Sequence, residues 1–179
     1  MAMTERHLNA GVPTAVFETP ARLLIPCPKG AQQWLSAELK ALGYPIVSER
    51  DTGVETRGSV TDAMRLNLLL RAGNRVLYEL RAFRVHTPEQ MYRQVASIPW
   101  ELYIASNGYV TVDSFVRTPG VRDGRFANVK CKDAIVDRIR DKCGQRPDSG
   151  NQRAGVVVFL FWHETYCKVY LDTSGDSLS

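Results

Sequence analysis

The chain has 179 residues and a net charge of +4, and 44% of its residues are hydrophobic. This length fits one domain or two small ones, and no apolar run reaches the roughly 20 residues of a membrane span. The N-terminus lacks the basic and apolar blocks of a secretion signal, and the mild positive charge permits a nucleic-acid or anionic-membrane partner without selecting one.

The first half of the chain predicts the order strand, helix, strand, strand, helix, strand. Residues 1–21 show little periodicity and predict a disordered leader. The predicted strands are 22–27, 45–50, 54–57 and 75–85, and the helices are 31–42 and 60–73. Gly43 and Gly73 are expected to end the two helices, and Ser59 or Thr61 to cap the second. This order is that of a ferredoxin-like βαββαβ module, which we assign to residues 22–85.

The second half begins at Thr87-Pro88, which predicts a capped helix with proline in its first turn. The elements that follow are a strand at 109–116, a helix at 124–143 ended by Gly144, and strands at 155–162 and 165–172. We therefore predict an α+β protein, with a hinge near Val85 between two small domains.

Aromatic residues are concentrated in the last two predicted strands. They are Phe159, Phe161, Trp162, Tyr166 and Tyr170. They could form a platform on which RNA bases stack, but burial in the core is the favoured interpretation. The run 155–162 is nearly all apolar, which predicts a strand that is buried on both faces.

Basic residues are concentrated where a Pro/Gly-rich loop enters the long helix. Between Val112 and Arg146 nine Lys or Arg stand against five Asp, a surplus equal to the net charge of the whole chain. A helix start attracts phosphate, so the loop and helix predict an RNA contact. A solvated loop is the alternative. The candidate RNA-binding residues are Arg117, Arg122, Arg125, Lys130 and Lys132.

Lys132 is unusual because helical geometry places it in the apolar stripe of that helix. Its stem could lie along the core while the ammonium reaches solvent, which is the favoured interpretation. Alternatively, it could hold an anion near the start of the helix.

The sequence offers no complete catalytic site and no metal site. The four cysteines are scattered, which favours reduced, mostly buried thiols in a cytoplasmic protein. Cys27 could be an activated thiol at a helix start, although burial is favoured, and His163-Glu164 is an isolated pair. No glycine-rich nucleotide-binding turn is present, so we expect this chain to bind no S-adenosylmethionine.

Several motifs together resemble one family, the class I ribosomal RNA guanine methyltransferases that carry a THUMP domain. The likeness covers residues 22–178 in the family's order. Its motifs are Cys27-Pro28-Lys29-Gly30, the run 63–76, Ile98-Pro99-Trp100-Glu101, the helix segment 125–137 and the stretch 171–178.

This resemblance implies a ferredoxin-like module followed by an α/β THUMP domain at residues 86–174 that binds structured RNA, specifically large-subunit ribosomal RNA. It implies that residues 175–179 begin a linker to a catalytic domain absent from this chain. That Rossmann-like domain would bind S-adenosylmethionine and methylate the guanine N2 amine of 23S rRNA. Two alternatives are a stand-alone THUMP RNA-binding or adaptor protein without enzymatic activity, and a small RNA-modifying enzyme that uses Cys27.

Overall fold

The computed structural model describes residues 14–175, and its strands form one eight-stranded sheet. In chain order the elements are α1 (Thr14–Phe17), β1 (Ala21–Pro26), α2 (Gln32–Ala41), β2 (Ser48–Arg50), β3 (Gly53–Gly58), α3 (Val60–Leu69), β4 (Leu77–Arg84), α4 (Pro88–Ala96), a 3-10 turn (Trp100–Leu102), β5 (Tyr109–Arg117), α5 (Gly124–Cys143), β6 (Asp148–Ser149), β7 (Val156–His163) and β8 (Tyr166–Asp172). Their order across the sheet is β2-β3-β1-β4-β8-β7-β5-β6.

The first half has the predicted ferredoxin-like topology. Its four strands are antiparallel in the order β2-β3-β1-β4, with α2 and α3 as the two crossover helices. Ser59 caps α3, because its hydroxyl accepts a hydrogen bond from the Asp62 amide while the Asp62 carboxylate accepts from the Ser59 amide. Gly43 follows α2 with a φ of +85°, as a helix-ending glycine should.

The predicted end of α3 at Gly73 is wrong. The helix ends at Leu69, and Leu70 already has extended backbone. A Cβ atom at Gly73 would lie 2.7 Å from the Cγ2 atom of Ile25. Glycine is therefore required at position 73 for the close approach of this loop to β1, rather than as a helix cap.

The second half combines two parallel strand pairs with one antiparallel pair. β5 and β7 are parallel, as their connection through α5 requires, and β7 and β8 form a hairpin at Glu164. Thr87 caps α4 and Gly144 ends α5 with a φ of +73°, as predicted. The two-residue strand β6, which pairs with β5, lies in the segment predicted to be a polar turn.

The hinge predicted near Val85 is wrong, because the two halves share one sheet. β4 pairs with β8 at seven positions, from Leu77 opposite Asp172 to Arg84 opposite Tyr166. β1 pairs only with the first two residues of β4. A register shift between Glu79 and Arg81 is the kind of bulge that bends a strand, and it lies where the sheet passes from one half to the other.

The helices pack against one face of this sheet and leave the other face open. In β7 the even-numbered residues Val158, Leu160 and Trp162 are fully buried, whereas Phe159 and Phe161 are half-buried. The prediction that this strand is buried on both faces is therefore wrong. For the aromatic residues, the core interpretation holds for Trp162 and Tyr170 only.

The predicted leader and linker lie partly outside the described residues. Residues 14–17 form a short helix and Ala21 begins β1, which differs from a leader disordered through residue 21. Residues 1–13 and 176–179 are not described. None of the helices within residues 14–175 is both long enough and apolar enough to cross a membrane.

Candidate RNA interface

The arginine loop, residues 117–125, connects the end of β5 to the start of α5. A tight turn brings Thr118 and Val121 together in an isolated bridge. Asp123 then caps α5: its carboxylate accepts a hydrogen bond of 2.8 Å from the Arg125 amide and lies 3.3 Å from Arg125 Nε. The helix start thus already has an anion, and the Arg125 amide is not available to a phosphate there.

The side chains of the arginine loop are available to a partner. Arg117 and Arg122 are exposed, and neither has a carboxylate within 4.0 Å in the described part of the chain. The Arg125 side chain is 91% exposed, and its ion pair with Asp123 contributes little because both groups remain hydrated. The loop therefore presents two unpaired cations and one weakly paired cation.

Lys130 and Lys132 lie on different sides of α5, because two residues correspond to about 200° of helical rotation. Lys130 Nζ is 3.9 Å from the Glu89 carboxylate of α4 and 5.9 Å from the centre of the Phe126 ring. Lys132 is half-buried and has no ion-pair partner among residues 14–175. Helical spacing puts Arg125 on the same side as Lys132, two turns earlier. The five predicted residues thus do not form one cluster, and Lys130 is the outlier.

Most other cations of this region are paired. Arg138 donates two hydrogen bonds, of 3.0 and 2.7 Å, to the Glu101 carboxylate in the 3-10 turn. These bonds lower the pKa of Glu101 despite the opposing effect of burial. Arg140 pairs with Asp137 and Asp141, and Arg146 with Asp133. The free positive charge is therefore largely at the arginine loop and Lys132.

The open face of the sheet curves into a trough of about 840 Å³. Residues of both halves of the chain line this trough. The trough therefore exists only because the pairing of β4 with β8 joins the two halves. Its lining residues are Arg22, Leu24, Pro26, Cys27, Val47, Ser48, Arg50, Thr52, Gly53, Glu55, Phe115, Phe159, Phe161, His163, Tyr166, Lys168 and Tyr170.

Three neighbouring rings line part of the trough, two side by side across β5 and β7 and the third further along β7. Phe115 in β5 and Phe161 in β7 are paired in register, with ring centres 5.5 Å apart and planes 11° apart. The His163 ring continues the row at 6.5 Å from Phe161, with planes 18° apart. Phe115, at one end of the row, is 47% exposed. We call this set the aromatic row.

Beside the aromatic row, where Lys168 of β8 is the register partner of Phe161, the trough holds a buried ionic cluster. Lys168 Nζ lies 3.0 Å from the Glu79 carboxylate and 3.6 Å from that of Glu55, and the Lys168 side chain is 9% exposed. Burial alone would lower the pKa of Lys168, but the hydrogen bond to Glu79 and the surrounding negative charge raise it overall. The ammonium is therefore charged and joins β8 to β3 and β4.

Cys27 does not have the surroundings of an activated thiol. It is 5% exposed, and burial followed by the charge of Glu49 raises its pKa. A nucleophilic cysteine needs a lowered pKa, so the structure argues against an enzyme that uses Cys27. Burial also raises the pKa of Cys131, to about 12. No cluster of three or more potential metal ligands occurs within residues 14–175.

Two domain profiles match the chain along most of its length. The RlmL ferredoxin-like domain matches residues 22–77, and the THUMP domain matches residues 85–172. This chain belongs to the RlmL family of THUMP-domain proteins. Both matches agree with the ferredoxin-like and α/β halves seen in the fold.

Curated relatives of this RlmL-family chain carry the name ribosomal RNA large subunit methyltransferase K/L. That of Syntrophotalea carbinolica is 35% identical over 90% of this chain, and that of Magnetococcus marinus is 35% identical over 84%. The chain spans only 23% and 21% of the lengths of these two relatives.

Solved structures share the fold of the RlmL-family chain at low sequence identity. A possible methylase from Clostridium difficile 630 has a TM-score of 0.77 at 20% identity, over 89% of this chain and 43% of that one. The structure of SMU.472 in complex with SAH has a TM-score of 0.75 at 17% identity, over 87% of this chain and 42% of that one.

The stacking platform considered from the sequence of this RlmL-family chain included Phe161, but Phe115, His163 and the trough itself were not predicted. The available signal was alternation: Phe115 and Arg117 share one face of β5, as Phe161 and His163 share one face of β7. That pattern does not reveal which face the helices cover, so the row could not be recognised as accessible.

Proposed function

We propose that this chain is the RNA-binding part of an S-adenosylmethionine-dependent methyltransferase that modifies the N2 amine of a guanine in 23S rRNA. The chain positions structured rRNA, and a downstream Rossmann-like domain binds the cofactor and transfers the methyl group. The observation that carries the proposal is the exposed, unpaired pair Arg117 and Arg122 on a THUMP domain.

The names of the relatives support the rRNA part of this proposal, since those proteins are large-subunit rRNA methyltransferases. The cofactor part is supported by the structure of SMU.472, which contains SAH, the product left when S-adenosylmethionine gives up its methyl group. In the proposed protein the residues described here hold RNA, and the reacting groups belong to the other domain.

The arginine loop contacts phosphates rather than bases in this proposal. Guanidinium groups bind phosphate oxygens through two parallel hydrogen bonds, and such contacts position RNA without reading its sequence. Lys132 and Arg125 extend the contact along one side of α5, while Lys130 contributes less because it is shared with Glu89.

The test is RNA binding by the isolated chain at several salt concentrations, with an RNA hairpin as the probe. Each lost phosphate contact should lower the slope of log affinity against log salt by about one. We expect Arg117→Gln with Arg122→Gln to lower the slope by about two and to weaken binding to different hairpins equally.

Arg140→Gln is the matched control, because Arg140 is exposed on α5 but already paired with Asp137 and Asp141. It should leave both affinity and slope nearly unchanged. Equal effects of the loop variant and the control would place the RNA elsewhere, and undetectable binding by the parent chain at low salt would overturn the proposal.

A further inference from the structure

We propose that the trough binds unpaired nucleotides of the RNA, with a base stacked on Phe115 at the exposed end of the aromatic row. This inference rests on the proposed function and deepens it, because it adds a single-stranded contact to the phosphate contacts of the arginine loop.

The shape of the aromatic row suits a base. Phe115, Phe161 and His163 stand nearly parallel at 5.5 and 6.5 Å, so a further planar ring can continue the series. Phe115 is 47% exposed although it is a large apolar side chain, and no helix of the described chain covers this face. Stacking of bases on aromatic side chains is a common way to hold single-stranded RNA and needs no base-specific hydrogen bond.

The charge of the trough suits an anion. Its lining includes three cationic side chains, Arg22, Arg50 and Lys168, and one carboxylate, Glu55. Arg22 pairs with Glu55, and Lys168 pairs with Glu55 and Glu79, so these four charges balance. Arg50 has no ion-pair partner within residues 14–175 and leaves the trough with a net positive charge. The volume of about 840 Å³ is within the range of roughly 300–1,000 Å³ that is typical of ligand-binding clefts.

The trough is continuous with the arginine loop. His163 lines both the trough and a smaller cleft, which is formed by Arg117, Pro119 and neighbouring loop residues. Arg117 is the register partner of His163 across β5 and β7, two residues beyond Phe115. A base stacked on Phe115 would therefore have its phosphate within reach of Arg117, so that one strand can use both surfaces.

The test compares two RNA probes, a blunt hairpin and the same hairpin with an unpaired 3′ extension of six nucleotides. Phe115→Ala should weaken binding of the extended hairpin roughly 5- to 150-fold, the range observed for loss of one base–aromatic stack. It should leave the blunt hairpin unaffected and should not change the salt slope.

Two further variants keep the result interpretable. Phe115→Tyr retains the ring and should bind the extended hairpin like the parent. Trp34→Ala removes another exposed aromatic side chain, 63% exposed, from α2 on the opposite face, and should have no effect on either probe. Thermal unfolding of each variant should match the parent, since Phe115 is half exposed.

Four results would overturn the inference. If the parent binds both hairpins equally well, or if Phe115→Ala weakens both alike, the trough does not hold unpaired nucleotides while the arginine loop proposal stands. If Phe115→Ala changes only the oligomeric state measured by light scattering, the trough is a protein contact. If the parent binds neither hairpin, the proposed function fails as well.

Discussion

Lys168 contributes to stability because it is the shared partner of two half-buried carboxylates, Glu55 and Glu79. Lys168→Met keeps much of the volume of the side chain but leaves Glu79 without a cation and Glu55 with Arg22 alone. Removal of one partner from a buried ion pair costs about 3–5 kcal/mol. We expect a loss of this size in the free energy of unfolding measured with urea at pH 7.

The control for this variant is a second substitution. Adding Glu79→Gln to Lys168→Met removes the carboxylate charge that has lost its cation and should restore part of the lost stability. A Lys168→Met protein as stable as the parent would show that solvent, rather than Lys168, compensates these carboxylates.

Substitutions at Lys132 can distinguish a role in packing from a role in RNA binding. The stem of Lys132 lies on the apolar side of α5, and its ammonium has no ion-pair partner within the described residues. Lys132→Met should keep thermal stability and lower affinity for an RNA hairpin at low salt. Lys132→Ala should lower both, since it also removes the stem from the apolar stripe. If Lys132→Met binds the hairpin as tightly as the parent, Lys132 serves packing alone.

Single residues differ in how well the sequence predicts their role. Gly144 and Ser59 act within one turn of a helix, so their neighbours in sequence determine their conformation. Gly73 contacts Ile25 on a strand almost fifty residues earlier, and Phe115 depends on which face of the sheet the helices cover. Such roles are fixed by tertiary contacts, which local patterns do not contain.

At the scale of elements, the ion pair of Glu101 with Arg138 fixes the position of α5. It joins the 3-10 turn after α4 to the middle of the helix that follows the arginine loop. Hydrogen bonds from Arg138 lower the pKa of Glu101, and therefore their stabilising effect is fully present above the unfolded pKa of about 4.3. It is lost as the pH falls through the lower pKa of the folded state.

We predict that Glu101→Gln lowers the free energy of unfolding by about 1.5–3 kcal/mol at pH 7, the usual contribution of hydrogen bonds to a charged group. The difference between parent and variant should shrink as the pH is lowered below about 4. Urea unfolding at pH 7, 5 and 3 checks this. A constant difference across these values would mean that Glu101 acts through shape rather than charge.

The elements themselves were largely predictable, but their pairing was not. The strands and helices of both halves follow from apolar periodicity and from caps such as Thr87. Pairing of β4 with β8 joins residues more than eighty positions apart, and β6 is only two residues long. A pairing between distant strands and a strand of two residues leave no periodic signal in the sequence. The predicted hinge was therefore wrong, and β6 was missed.

At the scale of the whole molecule, the shared sheet predicts that the two halves unfold together. The core is one contiguous cluster, and it includes residues of both halves, such as Leu23 and Val169. Urea unfolding followed by circular dichroism and by tryptophan fluorescence should give coincident single transitions. Two separated transitions would show that the ferredoxin-like half is stable without β8.

The C-terminal stretch is held by the first half as well as by the sheet. Asn67 Nδ2 donates to the Thr173 carbonyl at 3.0 Å, and the Ser174 hydroxyl accepts a hydrogen bond of 2.9 Å from the Val76 amide. We predict that Asn67→Ala lowers the thermal unfolding temperature by several degrees, because it leaves the half-buried Thr173 carbonyl without this donor. Asn128→Ala on α5 is the comparison; an equal effect of the two would contradict this role.

The pairing of β4 with β8 also has a consequence for synthesis on the ribosome. The ferredoxin-like half emerges first, and β4 then carries an open edge until residues 166–172 are translated, more than eighty residues later. Open strand edges pair with other chains, and non-local pairing forms slowly. Newly made chains are therefore most prone to aggregate in this interval, and β8, on emerging, closes the edge.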